Sequence, residues 1–460
     1  MSPPCHCDDF SRSTLLRRAA AEAGRGLPPI EAGMPLPAGT GLTRRSFLIR
    51  TAGLAVSVYG MGALSPRAVD EGVARAAAAG NEPILVSVFL EGGADSLSLL
   101  YPAGDSEYVR LRPTLALAPE AGLPFAEDDR LHWHPALKPI AGLHAEGKVR
   151  TLPAVGYTHV DHSHFTSRHY WEVGATSAQL TTGWLGRFLD HAGSRDNPLQ
   201  GVSLDGYLQP TLAPAAVPVA TIDSSGTYAL RTGHVNGEVE ERMLETLVEL
   251  GAAQEHDDPA LADAGAASVQ SVRLRNELVP FDGDGGAPPV GYPDGGADPF
   301  PKQLANLAAM IAAGLPIRCA AVRASGQYDT HAGQADVLGG GLRLTAATLA
   351  GFQRDLEKRG LADRVLVHVW SEFGRRAEEN GSAGTDHGAA GAGFLIGSRV
   401  RGRMVGEFPG LGSGLDDHGN LRATSDFRGL YCALLEQWLA CDAAAVIPDA
   451  ASFERPQLLR

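Results

Sequence analysis

The chain has 460 residues, of which 44% are hydrophobic and 20% charged, a composition typical of a soluble globular protein with one large domain or two ordinary ones. Its net charge of −14 argues against nucleic acid as a partner, because binding to phosphates requires a basic surface. The five cysteines lack the spacing of a zinc site, and the spacing of Cys432 and Cys441 favours two buried thiols over a disulfide.

The first 80 residues carry the features of an export leader. Residues 1–42 are polar and without periodicity, so they are predicted to be a disordered extension or untranslated sequence before a start at Met34 instead of Met1. Thr43–Leu48 resembles the twin-arginine export signal, and an apolar stretch and small residues follow it. We therefore expect a signal peptide at 43–80, recognition by the twin-arginine export machinery, and a mature protein in the periplasm or outside the cell. No apolar run in the mature part is long enough for a stable membrane span.

The first predicted strand of the mature chain, Ile84–Leu90, ends in a glycine-rich turn. Gly92 and Gly93 follow the strand directly, and two glycines there allow the backbone to approach a ligand closely. Asp95 then lies at the carboxyl end of the strand, where ligands bind in open α/β sheets. Asp95 is therefore a candidate metal ligand.

The second predicted strand, Val149–Val155, leads into a histidine-rich loop and a helix that begins near Ser163. A helix N-terminus has unpaired N–H groups and a favourable dipole, so it binds anions readily. Ser163 is either a plain N-cap or a nucleophile whose alkoxide form a metal would stabilise. The sequence leaves both alternatives open.

The predicted strand Ile317–Arg323 is followed by a pair of candidate metal ligands. Asp329 and His331 are two residues apart, so on an extended segment their side chains point the same way. A solvent-exposed polar loop is the alternative interpretation. Before this strand, residues 282–298 are acidic and rich in Gly and Pro, which predicts a flexible excursion within one domain.

An amphipathic helix is predicted over Leu342–Arg359, and the predicted strand Val365–Trp370 that follows it precedes the densest group of polar candidates. Its continuous apolar run is typical of a strand in a parallel sheet covered on both faces. Glu372 follows at once, and Asp386 and His387 come after a short loop, a set that suits a divalent metal with oxygen and nitrogen ligands. An Arg–Glu surface pair and a loop-capping Asp are the alternative. The alternation of strands and helices predicts a single three-layer α/β/α domain over residues 81–460, with a mostly parallel central sheet.

Six short motifs occur in order along the chain: EGGADS at 91–96, SHF at 163–165, GWLGR at 183–187, YDTHAGQ at 328–334, SEFGRR at 371–376 and GTDHG at 384–388. On these motifs the chain resembles the DUF1501 family, which is related to the alkaline phosphatase and sulfatase superfamily. The resemblance implies an alkaline phosphatase-like fold with one or two divalent ions (Zn, Mn or Ca). It places Asp95, Ser163, Glu372 and Asp386 around one ion, and Asp329, His331 and His387 around the other.

The resemblance favours an exported metal-dependent hydrolase of a phosphate or sulfate ester, with a small molecule or glycan as substrate. Ser163 would be the nucleophile, with Ser96 a weaker candidate, and Arg375, Arg376 or His164 would hold the ester oxygens. One alternative is a non-catalytic exported protein that keeps the fold and binds a metal, a glycan or a partner. Another is a metal-dependent mutase or transferase that uses the same covalent step.

Overall fold

The computed structural model describes residues 56–59, 82–194, 197–222, 237–253, 265, 268–269, 272 and 291–460. The predicted N-terminal extension, the twin-arginine motif and the first part of the acidic excursion lie outside these residues. Within the described part of the chain, none of the helices combines the length and the apolar character needed to cross a membrane.

Strands and helices alternate along most of the chain. The strands are β1 (Val56–Tyr59), β2 (Ile84–Phe89), β3 (Leu100–Pro102), β4 (Leu123–Pro124), β5 (Leu131–Trp133), β6 (Val149–Gly156), β7 (Gly201–Ser203), β8 (Val219–Ile222), β9 (Cys319–Arg323), β10 (Val365–Trp370), β11 (Arg375–Glu379), β12 (Thr385–His387), β13 (Gly391–Ile396) and β14 (Ser425–Asp426). The α-helices are α1 (Ser96–Leu99), α2 (Ser106–Leu111), α3 (Lys138–Ala145), α4 (His164–Val173), α5 (Trp184–Ala192), α6 (Glu238–Ala253), α7 (Phe300–Ala312), α8 (Gln334–Lys358) and α9 (Phe427–Ala433). A π-helix, Leu434–Trp438, continues α9.

The chain divides into two compact units. The first takes its described residues from Met1–Glu82, Ser177–Ala287 and Ala309–Ala321, and the second from Pro83–Thr176, Pro288–Ala308 and Val322–Arg460. In the first unit, β7 pairs in parallel with β8 and β9, and β1 pairs antiparallel with β8. Strand β1 lies within the predicted signal peptide. A single domain over residues 81–460 stays a prediction.

The second unit contains five sheet strands in the order β2-β10-β13-β6-β14. The pairs β2–β10 and β6–β14 are parallel, whereas β13 is antiparallel to both of its neighbours. The chain between β10 and β13 forms the β11–β12 hairpin and has no crossover helix, so β13 returns in the opposite direction. The predicted α/β class with a mostly parallel sheet is confirmed.

Buried strands and stacked aromatic rings form the core of the second unit. All six residues of both β2 and β10 are buried, as their continuous apolar runs predict. The Trp171 ring on α4 stacks on Trp370 of β10 at 5.6 Å and on Phe427 of α9 at 4.6 Å between ring centroids. Burial of each ring contributes roughly 1.5–3 kcal/mol, so α4 is fixed against the sheet. This packing sets the position of the residues at the start of α4.

Two details of the sequence interpretation are tested by the structure. Helix α8 begins at Gln334, eight residues before the predicted Leu342, because the glycines of 339–341 hide the helical pattern. Gly341 packs so tightly on Gly326 that a Cβ added to Gly326 would lie 2.5 Å from the Gly341 Cα. Cys432 and Cys441 are buried thiols, as predicted.

Candidate metal centre

Four segments of the second unit bring the candidate residues together. The loop after β9 carries Asp329 and His331, and β12 ends at His387. Helix α4 begins at His164, and Glu372 follows β10. Three of these segments lie at or beyond the carboxyl ends of strands, where ligands gather in α/β sheets.

Three imidazole rings converge on one carboxylate oxygen. The Nε2 atoms of His164, His331 and His387 lie 3.4, 3.0 and 3.6 Å from Asp329 Oδ1. The Nε2 atoms of His331 and His387 are 3.0 Å apart. His164, Asp329 and His387 form a group whose potential ligand atoms all lie within 4.8 Å of one another. The His164 side chain is only 3% exposed, whereas that of His331 is 30% exposed, so the group opens to solvent on one side.

The other nitrogen of each ring, Nδ1, faces an acceptor oxygen. The pairs are His164 with Glu372 Oε1 at 2.8 Å, His331 with Asp386 Oδ1 at 3.1 Å, and His387 with the His162 carbonyl at 2.7 Å. A neutral imidazole bound in this way carries its proton on Nδ1 and directs its Nε2 lone pair the other way. Histidines that bind metals are usually oriented by such outer partners.

The donor set fits a divalent cation. With the protons on Nδ1, three Nε2 lone pairs and a carboxylate oxygen would face one another, an arrangement that a bound cation stabilises. With a proton on Nε2 instead, a ring donates a hydrogen bond to Asp329 Oδ1. Three imidazole nitrogens and one carboxylate oxygen are ligands that Zn²⁺ accepts in tetrahedral sites. Calcium prefers six to eight oxygen ligands, so nitrogen-rich donors favour zinc or a similar transition metal.

The environment separates the pKa values of these groups. Burial opposes ionisation of Asp329, but hydrogen bonds from His164, His331 and His387 hold its pKa far below the ordinary value. Burial lowers the pKa of His387 to about 4, although Asp329 opposes this. Burial also disfavours the charged form of His164, yet its bonds to Asp329 and Glu372 raise its pKa. Asp329 is therefore a carboxylate at neutral pH.

Arg375 is buried beneath the group, and carbonyl oxygens accept many of its hydrogen bonds. Its guanidinium donates to Gly93 O at 2.7 Å, to Thr385 O at 2.9 Å and to Asp329 Oδ1 at 2.7 Å, and also to Gly92 O. A guanidinium has five N–H groups, and Arg375 also contacts Tyr328 O at 3.1 Å and His331 Nε2 at 3.3 Å, so these groups face the protein backbone, Asp329 and His331. The predicted role of Arg375 in holding ester oxygens therefore stays a prediction, while its observed contacts join three loops. Arg376 is exposed.

Glu372 and Asp386, which the sequence suggests as metal ligands, lie one step outside the converging atoms. Glu372 is fully buried and accepts hydrogen bonds from Gly92 N at 3.1 Å and Gly93 N at 3.0 Å as well as from the His164 ring. Asp386 is exposed and contacts His331. Both carboxylates hold imidazole rings, a role that spacing along the chain does not distinguish from ligation.

Asp95, the remaining predicted ligand, lies in a separate buried network. Its oxygens form a two-fold ion pair with Arg112, at 2.5 and 2.9 Å, and accept a bond from Gln334 at 2.6 Å. Arg112 also donates to the carbonyls of Arg376 and Ala377. The structure therefore gives Asp95 a cationic partner other than a metal.

Ser163 occupies the N-cap position of α4, a contact that is compatible with both predicted alternatives. Its Oγ accepts a hydrogen bond from Phe165 N at 3.2 Å, and the next residue, His164, belongs to the converging group. The weaker candidate, Ser96, is buried and donates to Ala390 O at 3.1 Å. A nucleophilic role for Ser163 stays a prediction.

A pocket of about 830 Å³ lies beside the converging group. Its lining includes Tyr157, His159, His162, His418 and Arg422. His162 connects the pocket to the group, because its carbonyl accepts the His387 Nδ1 bond and its own ring contacts Gly388 O at 3.0 Å. The volume lies in the range of small-molecule sites.

Sequence reasoning assigned no role to His162, Arg112 or Gln334. The run His159, His162, His164 indicated a site, but no periodicity shows that the His162 backbone would bind a ring. Arg112 lies 17 residues after Asp95 and beside a different helix, so spacing along the chain does not predict that the two residues pair. Gln334 belongs to the YDTHAGQ motif, but it lies eight residues before the predicted start of the helix, so the sequence did not show its position.

Together, the mixed α/β fold and a His/Asp group that could hold a metal ion define an α/β protein with a candidate metal centre. The chain belongs to the family described as "Protein of unknown function (DUF1501)", whose sequence model matches residues 83–424. No curated protein matches the chain.

Solved structures of the alkaline phosphatase and sulfatase type are similar to this chain. The PsFucS1 sulfatase from Pseudoalteromonas sp. is 12% identical with a TM-score of 0.32, over 85% of this chain and 77% of that one. An alkaline phosphatase superfamily protein from Vibrio parahaemolyticus is 9% identical with a TM-score of 0.33, over 89% and 77%. The lipoteichoic acid synthase LtaP from Listeria monocytogenes is 9% identical with a TM-score of 0.32, over 84% and 80%. Similarities this weak assign no chemistry to the chain.

Proposed function

We propose that this protein is a metal-dependent hydrolase of a phosphate or sulfate ester, exported by the twin-arginine machinery to the periplasm or beyond. The observation that carries the proposal is the convergence of the His164, His331 and His387 Nε2 atoms on Asp329 Oδ1. Each ring is held from behind, so the group is organised for ligation before any ion arrives.

His164, Asp329, His331 and His387 would hold one divalent ion, with zinc the best match to the donors. When bound, such an ion polarises the ester oxygens and favours the anionic form of a nearby nucleophile. Glu372 and Asp386 keep the His164 and His331 rings in the tautomer that ligation requires. Among the predicted ligands, Asp329, His331 and His387 converge, and His164, which was expected to hold ester oxygens, joins them. We therefore propose one ion, of the one or two that the resemblance implies.

Ser163 is the proposed nucleophile. Its hydroxyl would give up its proton to water, and Oγ would bond to the phosphorus or sulfur atom while the bond to the leaving alcohol oxygen breaks. The leaving oxygen would take a proton from water. Water would then release the acid from Ser163. The N-terminus of α4 supports this role, because its N–H groups and dipole favour negative charge beside His164.

The pocket next to His162 would take the organic part of the ester. Its volume of about 830 Å³ is large enough for a small molecule or a short glycan. His159, His418 and Arg422 supply hydrogen-bond donors to its wall, which suits a hydroxylated or anionic substrate.

A non-catalytic exported protein that binds a metal or a glycan is the second candidate. Two observations favour it: Ser163 has an ordinary N-cap contact, and Arg375 is engaged with backbone carbonyls instead of facing a ligand. A serine that only caps the helix would leave the site able to bind and unable to cleave.

The test begins with elemental analysis of wild-type protein purified from the export compartment. We expect about one zinc or similar divalent ion per chain, lost in His387→Ala and retained in His191→Ala, a matched change of an exposed histidine on α5. A screen of phosphate and sulfate esters then follows, with Ser163→Ala as the control that should lower turnover by several orders of magnitude.

The outcomes separate the candidates. Metal binding with ester turnover that depends on Ser163 supports the hydrolase. Metal binding without turnover of any ester supports the binding protein. A folded wild-type protein that takes up no added Zn, Mn or Ca would overturn both metal-based proposals.

A further inference from the structure

A single buried side-chain amide joins the two segments that carry most of the candidate ligands. The Gln334 Oε1 atom accepts hydrogen bonds from Thr330 Oγ1 at 2.9 Å and from Thr385 Oγ1 at 2.5 Å. All three residues are at most 3% exposed. Thr330 lies between Asp329 and His331, and the other threonine lies two residues before His387.

The position of this amide explains why both segments depend on it. A carbonyl oxygen has two lone pairs, and here each lone pair receives a hydroxyl donor from a different segment. A direct backbone bond, from Thr385 N to Thr330 O at 3.0 Å, reinforces the same junction. The segment after β9 and strand β12 are therefore fixed to one another within one residue of Asp329 and His331.

The opposite end of the amide determines its orientation. Gln334 Nε2 donates to Asp95 Oδ2 at 2.6 Å and to Ser98 Oγ at 3.3 Å. A carboxylate paired with Arg112 accepts hydrogen bonds only, so the NH₂ group must face Asp95 and the oxygen must face the two threonines. Asp95 and Arg112 thereby prevent the amide from flipping.

We propose that Gln334 is a positioning residue that sets the separation of the two ligand-bearing segments and thereby the affinity and geometry of the metal centre. This inference rests on the proposed metal site. Asp95, expected from the sequence to bind an ion itself, acts through this amide from the other side. Loss of a group that orients metal ligands typically changes metal affinity by about 10–100-fold.

The test removes one hydroxyl from the junction. Gln334→Leu would remove one of the hydrogen-bond donors to Asp95 and the amide acceptor of both threonine hydroxyls, and it could prevent folding. Thr385→Val, which keeps the side-chain shape, is therefore the principal variant. Thr348→Val is the matched control, because Thr348 is equally buried, lies on α8 and has a hydroxyl without a partner in the structure. Thr385→Ser retains the hydroxyl and is the conservative rescue.

Zinc affinity is measured by competition with a chelator, and site geometry by the visible absorption of the Co²⁺-substituted protein. We expect Thr385→Val to weaken zinc binding roughly 10–100-fold and to change the Co²⁺ spectrum, while Thr348→Val and Thr385→Ser remain close to wild type. Thermal unfolding of the metal-free proteins reports stability separately from binding.

Weaker zinc binding in Thr385→Val alone supports the positioning role. A lower melting temperature of metal-free Thr385→Val with unchanged zinc affinity and Co²⁺ spectrum would overturn it and leave Gln334 a purely structural residue. If wild-type protein binds neither Zn²⁺ nor Co²⁺, the proposed metal site fails together with this inference, an outcome distinct from the loss of the positioning role alone.

Discussion

At the scale of single residues, the partner of each ring nitrogen decides what a histidine can do. His164, His331 and His387 each direct Nδ1 at an oxygen and Nε2 at Asp329. The geometry therefore makes Glu372 a partner of an imidazole ring. A carboxylate that accepts a ring N–H makes the imidazole a stronger ligand and holds its orientation.

Glu372→Gln is expected to weaken metal binding about 10–100-fold without unfolding the protein. The amide keeps the size of the carboxylate, but it removes the charge that strengthens His164 as a ligand. The measurement is zinc affinity by chelator competition. Glu378→Gln, at an exposed position of β11, is the matched control and should bind zinc like wild type. Complete loss of binding would instead make Glu372 a direct ligand, as the resemblance implies.

The residue types of the site could be predicted from the sequence, but the contacts of several could not. Asp329 and His331 were predictable because side chains two apart on an extended segment share a direction. Whether Glu372 touches an ion or a ring depends on displacements of a few ångströms. The role of Asp95 depends on Arg112, which lies 17 positions away in the sequence. Hydrophobic patterns locate strand ends and do not locate the atoms beyond them.

At the scale of elements, helix α4 positions both the proposed nucleophile and a proposed ligand. Stacking of Trp171 on Trp370 fixes the helix to β10, and its first turn carries His164. Ser163 caps the same turn. One helix terminus can therefore contribute to stability and to chemistry, and substitution by alanine alone does not separate these contributions.

Two substitutions of Ser163 separate the cap from the nucleophile. Ser163→Ala should lower the free energy of unfolding by about 0.5–2 kcal/mol, because the Phe165 N–H loses its acceptor. Ser163→Asn should recover most of this stability, since Asn is an equally good N-cap, yet it lacks a hydroxyl. Urea unfolding and ester turnover are measured for both. Turnover that survives in Ser163→Asn would exclude Ser163 as the nucleophile.

The main strands could also be predicted from the sequence. The runs at Ile84–Phe89 and Val365–Trp370 are strands as predicted, because their apolar residues suit burial on both faces. The antiparallel direction of β13 was missing from the prediction, since pattern alone does not fix strand direction. The early start of α8 was hidden by glycines that close packing requires.

At the scale of the whole molecule, one buried ion pair connects parts of the chain that are far apart in sequence. Asp95 is the N-cap residue before α1. Its partner Arg112 donates to the carbonyls of Arg376 and Ala377 on β11, 264 and 265 positions away. The pair is fully buried on both sides. Breaking a buried pair by removing one partner is costly, because the remaining charge has no compensation.

Asp95→Asn is therefore expected to lower the free energy of unfolding by about 3–5 kcal/mol at pH 7. Burial opposes ionisation of Asp95, but the charge and hydrogen bonds of Arg112 hold its pKa below the usual 3.8. A carboxyl group whose pKa is lower in the folded state stabilises the fold at pH values above its unfolded-state pKa. This stabilisation is lost as the pH falls through the folded-state pKa. The difference in unfolding free energy between wild type and Asp95→Asn should thus be constant near neutrality and shrink only below about pH 4. Urea unfolding at several pH values measures it.

The matched control for this prediction is Asp128→Asn, which breaks the Asp128–Arg130 pair, whose arginine is 52% exposed. Solvent screens that pair, so its loss should cost only about 0–1 kcal/mol. Equal deficits for Asp95→Asn and Asp128→Asn would show that the Asp95–Arg112 pair does not hold the distant segments together. A deficit of Asp95→Asn that persists unchanged at pH 3 would show that lost packing, and not lost charge, causes it.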